Sequence, residues 1–161
     1  DSPLFVNRNI GLTIEQRIIK RALDIIISLI ALIITSPILL VTAICIKAYD
    51  GGPVFYKQER TTFRGKKFWI IKFRSMIEDA EADGKSHPAT EDDDRITPVG
   101  RFIRKTRIDE LPQFINILKG DMSVVGPRPE RVEHMEKYAE DIPEFDYRFK
   151  VKGGLTVYAE L

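Results

Sequence analysis

A chain of 161 residues, 43% of them hydrophobic, is long enough to bury one core and is expected to form a single domain over residues 1–161. Its 25 basic and 24 acidic residues leave a formal charge of +1, which argues against a surface built to neutralise many nucleic-acid phosphates. The single cysteine, Cys45, excludes an internal disulfide or a multi-cysteine metal site and reads as a small hydrophobe; His87 and His134 stand apart without ligand-type neighbours. Any chemistry therefore falls to carboxylates, Lys, Arg or hydroxyl groups.

In chain order, the first element is "TIEQRIIKRALD", residues 13–24, with Ile14, Ile18, Ala22 and Ile25 on one helical face and Arg17, Lys20 and Arg21 beside it. That pattern suits an amphipathic helix lying at a membrane interface. It leads into residues 25–46, an uncharged run long enough to span a bilayer core of roughly 20 apolar residues. Two features favour a turn-back over a crossing. Ser36-Pro37 falls near the middle, where proline lacks an amide donor and its ring meets the carbonyl of residue 33. Basic residues flank both ends, Arg17, Lys20 and Arg21 before and Lys47, Lys57 and Arg60 after, so both flanks prefer the same cytoplasmic side. A re-entrant hairpin meets that preference; a kinked single crossing is the competing reading.

Residues 50–161 are expected to form the cytosolic part. "GGPVFYKQER" and "KKFWIIKFRSM" read as two strands, with Gly65 placing a hairpin between them. Residues 77–95 are acidic and predict a short helix followed by a solvated loop; "EDDD" at 91–94 is a weak cation candidate without ligand spacing. Val99, Phe102, Ile103 and Thr106 predict the apolar face of one helix. Leu111, Phe114, Ile115 and Leu118 predict that of a second, capped by Gly120. Between these helices sits the adjacent pair Asp109-Glu110, which either starts a helix or does chemistry. "GPRP" then makes a stiff turn in which Pro127 and Pro129 restrict Arg128, a guanidinium suited to fork onto phosphate. A membrane anchor, an acidic pair at its edge and flanking arginines point to phosphoryl chemistry at a lipid surface.

Several ordered motifs carry a resemblance: "KRALD", "SP" within the apolar run, "GPVFYKQER", "KFRSM", "GRFIRKTRIDELPQFINILKGDMSVVGPRPE" and "VKGGLT". From about Lys20 to the end the chain resembles the bacterial sugar transferases, the monotopic polyprenyl-phosphate hexose-1-phosphate transferases, and in particular the C-terminal catalytic domain of larger exopolysaccharide-type members. The resemblance implies an α+β fold: a small sheet and amphipathic interfacial helices seated on a re-entrant helix broken at Ser36-Pro37.

The implied activity is transfer of a sugar 1-phosphate from a UDP-sugar to undecaprenyl phosphate with release of UMP, at the cytoplasmic face of the bacterial inner membrane. It would be a priming step whose product feeds downstream glycosyltransferases. By the same resemblance Asp109 is the nucleophile and a Mg²⁺ ligand, Glu110 its acidic partner, and Arg104 and Arg128 match basic positions suited to the substrate phosphates, with membrane lipids as surroundings. Lys72 and Arg74 of "KFRSM" are further candidates for substrate binding, although basic residues alternating on a strand also suit a solvated face. The chain departs from the family pattern at Asp94, where Pro is usual, and in its ending, where Gly153 replaces Pro, Val157 replaces Gly and Glu160 replaces Gln. A catalytically impaired membrane-binding or scaffold domain of the same fold is the alternative those departures keep open.

Overall fold

The computed structural model describes residues 12–82, 87, 89–132, 134, 138, 140 and 151–156. The expectations attached to Val157 and Glu160 lie outside them.

Helix α1, Ile14–Asp50, joins the expected interfacial and apolar segments into one element of 37 residues. Thr13 caps its start through a reciprocal box with Gln16, and Gly51 closes its end in the left-handed region at φ 72°. By length and composition the helix could cross a membrane. It contains Pro37 without a break in helix assignment. The carbonyl of Ile33, whose amide donor the proline lacks, accepts instead from the Ser36 hydroxyl at 2.8 Å. Thr35 likewise donates to the Ala31 carbonyl at 2.6 Å. Buried and half-buried positions recur at Arg21, Asp24, Ser28, Ala31, Thr35, Leu39, Thr42 and Ile46, one stripe of helical period on both sides of the proline. The opposite face exposes Ile26, Ile30, Ile33, Ile34, Leu40 and Ile44. Cys45 is exposed, not buried.

The predicted hairpin forms as β1, Phe55–Thr61, antiparallel to β2, Lys67–Phe73. A 3-10 turn at Phe63–Gly65 links them, with Gly65 at φ 70°. Alternation gives the hairpin two faces. On one, Phe68 and Ile70 pack with Ile117 and Met122. On the other, Phe73 packs with Ile103 and with Ile46 of α1.

Between Ile77 and Ala82 the acidic segment forms turns and not the expected helix. A segment this short cannot offset the cost of helix nucleation without an apolar face to bury. The "EDDD" candidate resolves as local structure as well: Asp93 pairs with Arg95 at 2.6 Å, and that guanidinium holds its carboxyl down at about 2. Helix α2, Pro98–Lys105, starts on Thr97, whose hydroxyl accepts from the Gly100 amide at 2.9 Å. A β-carbon on Gly100 would lie 2.0 Å from the Ser75 carbonyl oxygen, so only glycine lets α2 approach the end of β2. Of the predicted apolar face, Ile103 is buried but Phe102 points outward at 62% exposure.

Helix α3, Gln113–Lys119, ends on Gly120 as expected. Its most buried positions are Gln113, Asn116 and Ile117, one step around from the predicted stripe of Leu111, Phe114, Ile115 and Leu118, which is half-buried. Asn116 explains the shift. It is 0% exposed, accepts from the Ile71 amide at 3.0 Å and donates to the Trp69 carbonyl at 2.8 Å, pairing the free edge of β2. The other edge of the hairpin is covered where Arg60 bridges Arg131 and the Thr61 amide donates to the Glu130 carbonyl. A parallel pair, β3 at Ser123–Val125 and β4 at Gly154–Thr156, was not anticipated.

The basic flank of α1 docks on this body. Arg21 donates to the Ile117 and Leu118 carbonyls at the end of α3, at 2.5 and 2.7 Å, and Lys20 donates to the Val125 carbonyl. Asp24, buried, accepts from the Ser123 hydroxyl at 2.7 Å and the Val124 amide at 3.1 Å. The departure at Gly153 also has a local reason. Its amide donates to the Thr62 hydroxyl at 2.9 Å, a bond proline could not make, and a β-carbon there would lie 2.6 Å from Pro129.

Candidate active site

Asp109 and Glu110 sit on a 3-10 turn, Ile108–Glu110, between α2 and α3. Arg107 enters that turn in the left-handed region at φ 61°, uncommon for a residue with a β-carbon and a mark of local constraint. The turn aims both acids at the hairpin face that carries Tyr56, Gln58, Arg60 and Lys72. Glu110 is held between Lys72 at 3.8 Å and Arg107 at 3.6 Å. Asp109 makes no side-chain hydrogen bond or ion pair with another described residue, and burial pushes its carboxyl above the ordinary value. Lys72 opposes that rise most, Glu110 adds to it, and Arg104 opposes it. Burial also lowers the Lys72 ammonium from its usual range, with Glu110 and Asp109 acting in the opposite sense.

Two joined lobes open here. A smaller one of about 360 Å³ reaches towards Gln113 and β4, and a larger one of about 490 Å³ reaches towards Tyr56, Gln58 and His87. Arg60, Lys72, Arg107, Glu110 and Arg128 line both, while Asp109 and Arg104 face the larger lobe. Of these, Arg60 donates to the Pro129 carbonyl and to Gln58, but its Nε is buried without a partner. Burial and the like charges of Arg131 and Arg128 bring its guanidinium down to about 10. Cations crowd this wall beyond what the two acids can balance, the condition of a site made for a polyanion.

Of the predicted ligands, Arg104, Arg128 and Lys72 therefore gather around the acidic pair. Arg74 borders the larger lobe but its guanidinium is committed elsewhere. At 7% exposure it pairs with Asp50 through two bonds of 2.7 and 2.5 Å and donates to the Pro53 carbonyl at 2.6 Å. Its work is to tie the end of α1 to β2. Arg74→Met is expected to lower the melting temperature in detergent while leaving nucleotide affinity unchanged; a selective loss of nucleotide binding would return Arg74 to the site. Arg60 was read from sequence only as a basic flank of the apolar run, and Arg107 was not singled out. Alternation along "FYKQER" places Arg60 on the face of Tyr56 and was the signal available, whereas nothing local marks Arg107.

A carboxylate dyad in an arginine- and lysine-lined cavity, beside a long apolar helix, is an arrangement with the charge to hold a phosphorylated ligand. The chain belongs to the bacterial sugar transferase family, whose model matches residues 15–161. Three relatives are similar over most of it. A UDP-N-acetylgalactosamine-undecaprenyl-phosphate N-acetylgalactosaminephosphotransferase of Aeromonas hydrophila is 45% identical over 89% of this chain and 34% of its own length. A UDP-glucose:undecaprenyl-phosphate glucose-1-phosphate transferase of Klebsiella pneumoniae is 49% identical over 89% of this chain and 31% of its own. An undecaprenyl-phosphate galactose phosphotransferase of Salmonella typhimurium is 42% identical over 88% and 32%. The chain thus spans about a third of the length of each.

Proposed function

We propose that this chain is the catalytic part of a phosphoglycosyl transferase that moves a sugar 1-phosphate from a UDP-sugar to undecaprenyl phosphate, releasing UMP. The observation that carries this is Asp109: a carboxylate with no side-chain partner among the described residues, facing a cavity walled by Arg60, Lys72, Arg104, Arg107 and Arg128. The Asp109 oxygen attacks the β-phosphorus of the donor, the bond from that phosphorus to the bridging oxygen breaks, and UMP leaves with the electron pair. The resulting aspartyl phosphosugar is then attacked by a phosphate oxygen of undecaprenyl phosphate, which restores the carboxylate and gives the polyprenyl diphosphate-linked sugar. Lys72, Arg104 and Arg128 hold the phosphate oxygens while charge moves between them. Glu110, braced by Lys72 and Arg107, takes the acceptor's phosphate proton.

Mg²⁺ suits the site on donor chemistry. Two adjacent carboxylates beside a diphosphate meet its preference for one or two acidic ligands completed by substrate oxygens, and no group of three His, Cys, Asp or Glu that could hold a metal occurs among the described residues. Asp109, with Glu110, would hold it. When bound it would supply charge neutralisation on the diphosphate.

The membrane placement is part of the proposal. What supports a re-entrant α1 is the Ser36 hydroxyl satisfying the Ile33 carbonyl at Pro37, together with contacts to one body from both sides of the proline, Arg21 and Asp24 before it and Ile46 after it. Straight, 37 residues would extend about 55 Å, well beyond a hydrocarbon core of about 30 Å. A bend keeps both flanks on the cytoplasmic side of the inner membrane, where undecaprenyl phosphate meets Asp109. The sugar-bearing product would then be the substrate of glycosyltransferases that add the next residue.

The test is UMP release from UDP-glucose, UDP-galactose and their N-acetylated counterparts by the detergent-solubilised protein with undecaprenyl phosphate and Mg²⁺. Acceptor-dependent release that EDTA abolishes is expected. Silence with every donor, in a protein that still binds lipid vesicles, would favour a membrane-binding scaffold.

A further inference from the structure

We infer that the smaller lobe receives the sugar ring of the donor and that the Gln113 side-chain amide reads that ring. The inference rests on the transferase reading and goes one step beyond it, to which lobe takes which half of the substrate.

Gln113 is the observation that calls for an explanation. Its residue is only 3% exposed, yet its side chain lines the smaller lobe and its amide has no hydrogen-bond partner among the described residues. That amide offers two donors and an acceptor to the lobe it lines. The contrast with Asn116, one helical turn on, is direct, since that amide is fully used in holding β2. Gln113 thus brings paired donor and acceptor capacity to a cavity and spends none of it on the fold. Such a group is matched by a ligand with hydroxyl or acetamido groups.

The division between lobes follows from Asp109. Its carboxylate faces the larger lobe, and the leaving UMP must depart on the side of phosphorus opposite the attacking oxygen. The larger lobe, about 490 Å³, has room for a nucleoside, and Tyr56 and Gln58 on its wall present a ring and an amide. The sugar is joined to the same phosphorus through an oxygen that neither enters nor leaves. It therefore points sideways from the line of attack, across the wall of Lys72, Glu110 and Arg128 that both lobes share. The smaller lobe begins on the far side of that wall. At about 360 Å³ it sits near the bottom of the size range of small-molecule pockets, room for a hexose and not for a whole nucleotide sugar. Gly154, Leu155 and Thr156 of β4 line it together with Gln113.

The experiment compares equilibrium binding of UMP and of each UDP-sugar, with Mg²⁺, to the detergent-solubilised protein and to Gln113→Met and Gln113→Glu. An Asp109→Asn background keeps the donor intact. Both substitutions keep side-chain length, and an unchanged melting temperature reports that the protein remains folded. The expected result is a loss of about tenfold or more in affinity for the UDP-sugar in Gln113→Met, with UMP affinity unchanged within about twofold. Loss of UMP and UDP-sugar affinity in equal measure in both variants would place the nucleoside, not the sugar, on Gln113 and overturn the inference. Unchanged affinity for both ligands would overturn it too while leaving the transferase reading intact. Binding of neither ligand to the unsubstituted protein would overturn the transferase reading and this inference together.

Discussion

Asp109→Asn is expected to abolish sugar-phosphate transfer, lowering kcat by at least about 10³-fold, the scale on which loss of a covalent nucleophile acts. The same substitution should raise the melting temperature. Burial holds the Asp109 carboxyl above its ordinary value of 3.8, so the fold favours the protonated form. The sign follows from linkage: a group whose folded pKa exceeds its unfolded one contributes stability that is complete below the unfolded value and disappears as pH rises through the folded value. At neutral pH the ionised Asp109 is therefore a liability that an amide of equal size removes. Activity lost with no gain or a fall in melting temperature would mean that Asp109 has a structural partner the site does not display.

A pH profile makes the same point kinetically. Only the ionised Asp109 can attack phosphorus, so the acid limb of kcat/KM should lie above the range of an exposed aspartate. The alkaline limb should lie below that of an exposed lysine, because burial lowers Lys72 and its loss of charge uncovers both acids. Lys72 is the largest influence holding the Asp109 pKa down, so Lys72→Met should move the acid limb upward as well as reduce the rate. An acid limb that stays in place in Lys72→Met would separate the lysine from the nucleophile.

The parts of the fold that were legible in the sequence are those where one local pattern decides. Alternation and a glycine turn are enough for the β1–β2 hairpin, and an amphipathic period followed by an uncharged run is enough for the helical character of α1, though not for its continuity through Pro37. The acidic pair and Arg128 could be found because chemistry-bearing residues stood together beside proline. Where the reading slipped, a polar side chain had taken a buried position. On α3 the apolar period pointed to Leu111, Phe114, Ile115 and Leu118, but Gln113 and Asn116 face inward because one borders the cavity and the other bonds to a strand edge. Hydrophobic period carries no record of such partners. Arg74 is the opposite case. It looked like a ligand by its place in "KFRSM", and only the three-dimensional approach of Asp50 shows where its guanidinium is spent.

Asn116→Ala should produce the largest loss of stability of any single change near the site, about 3 kcal/mol by chemical denaturation in detergent. Truncation leaves the Ile71 amide and the Trp69 carbonyl unpaired at a strand edge that α3 covers, at about 1–3 kcal/mol each, and opens a small cavity beside Ile117. Asn116→Asp discriminates the two bonds. Its carboxylate can still accept from Ile71 but cannot donate to Trp69, and it buries a charge that no cation among the described residues is placed to pair. It should therefore be no more stable than the alanine variant despite keeping the shape. The consequence for catalysis follows from what the amide joins: Lys72 is the next residue after Ile71 on β2, and Glu110 lies six residues before Asn116 on the chain that forms α3. A slack joint there lets Lys72 and the dyad drift apart, and a displacement of about 1 Å can cost as much as 10²-fold in rate. Lower kcat with UMP affinity retained is the expected pattern for Asn116→Ala. Stability equal to that of the unsubstituted protein would mean that apolar packing, not this amide, holds the dyad against the lysine.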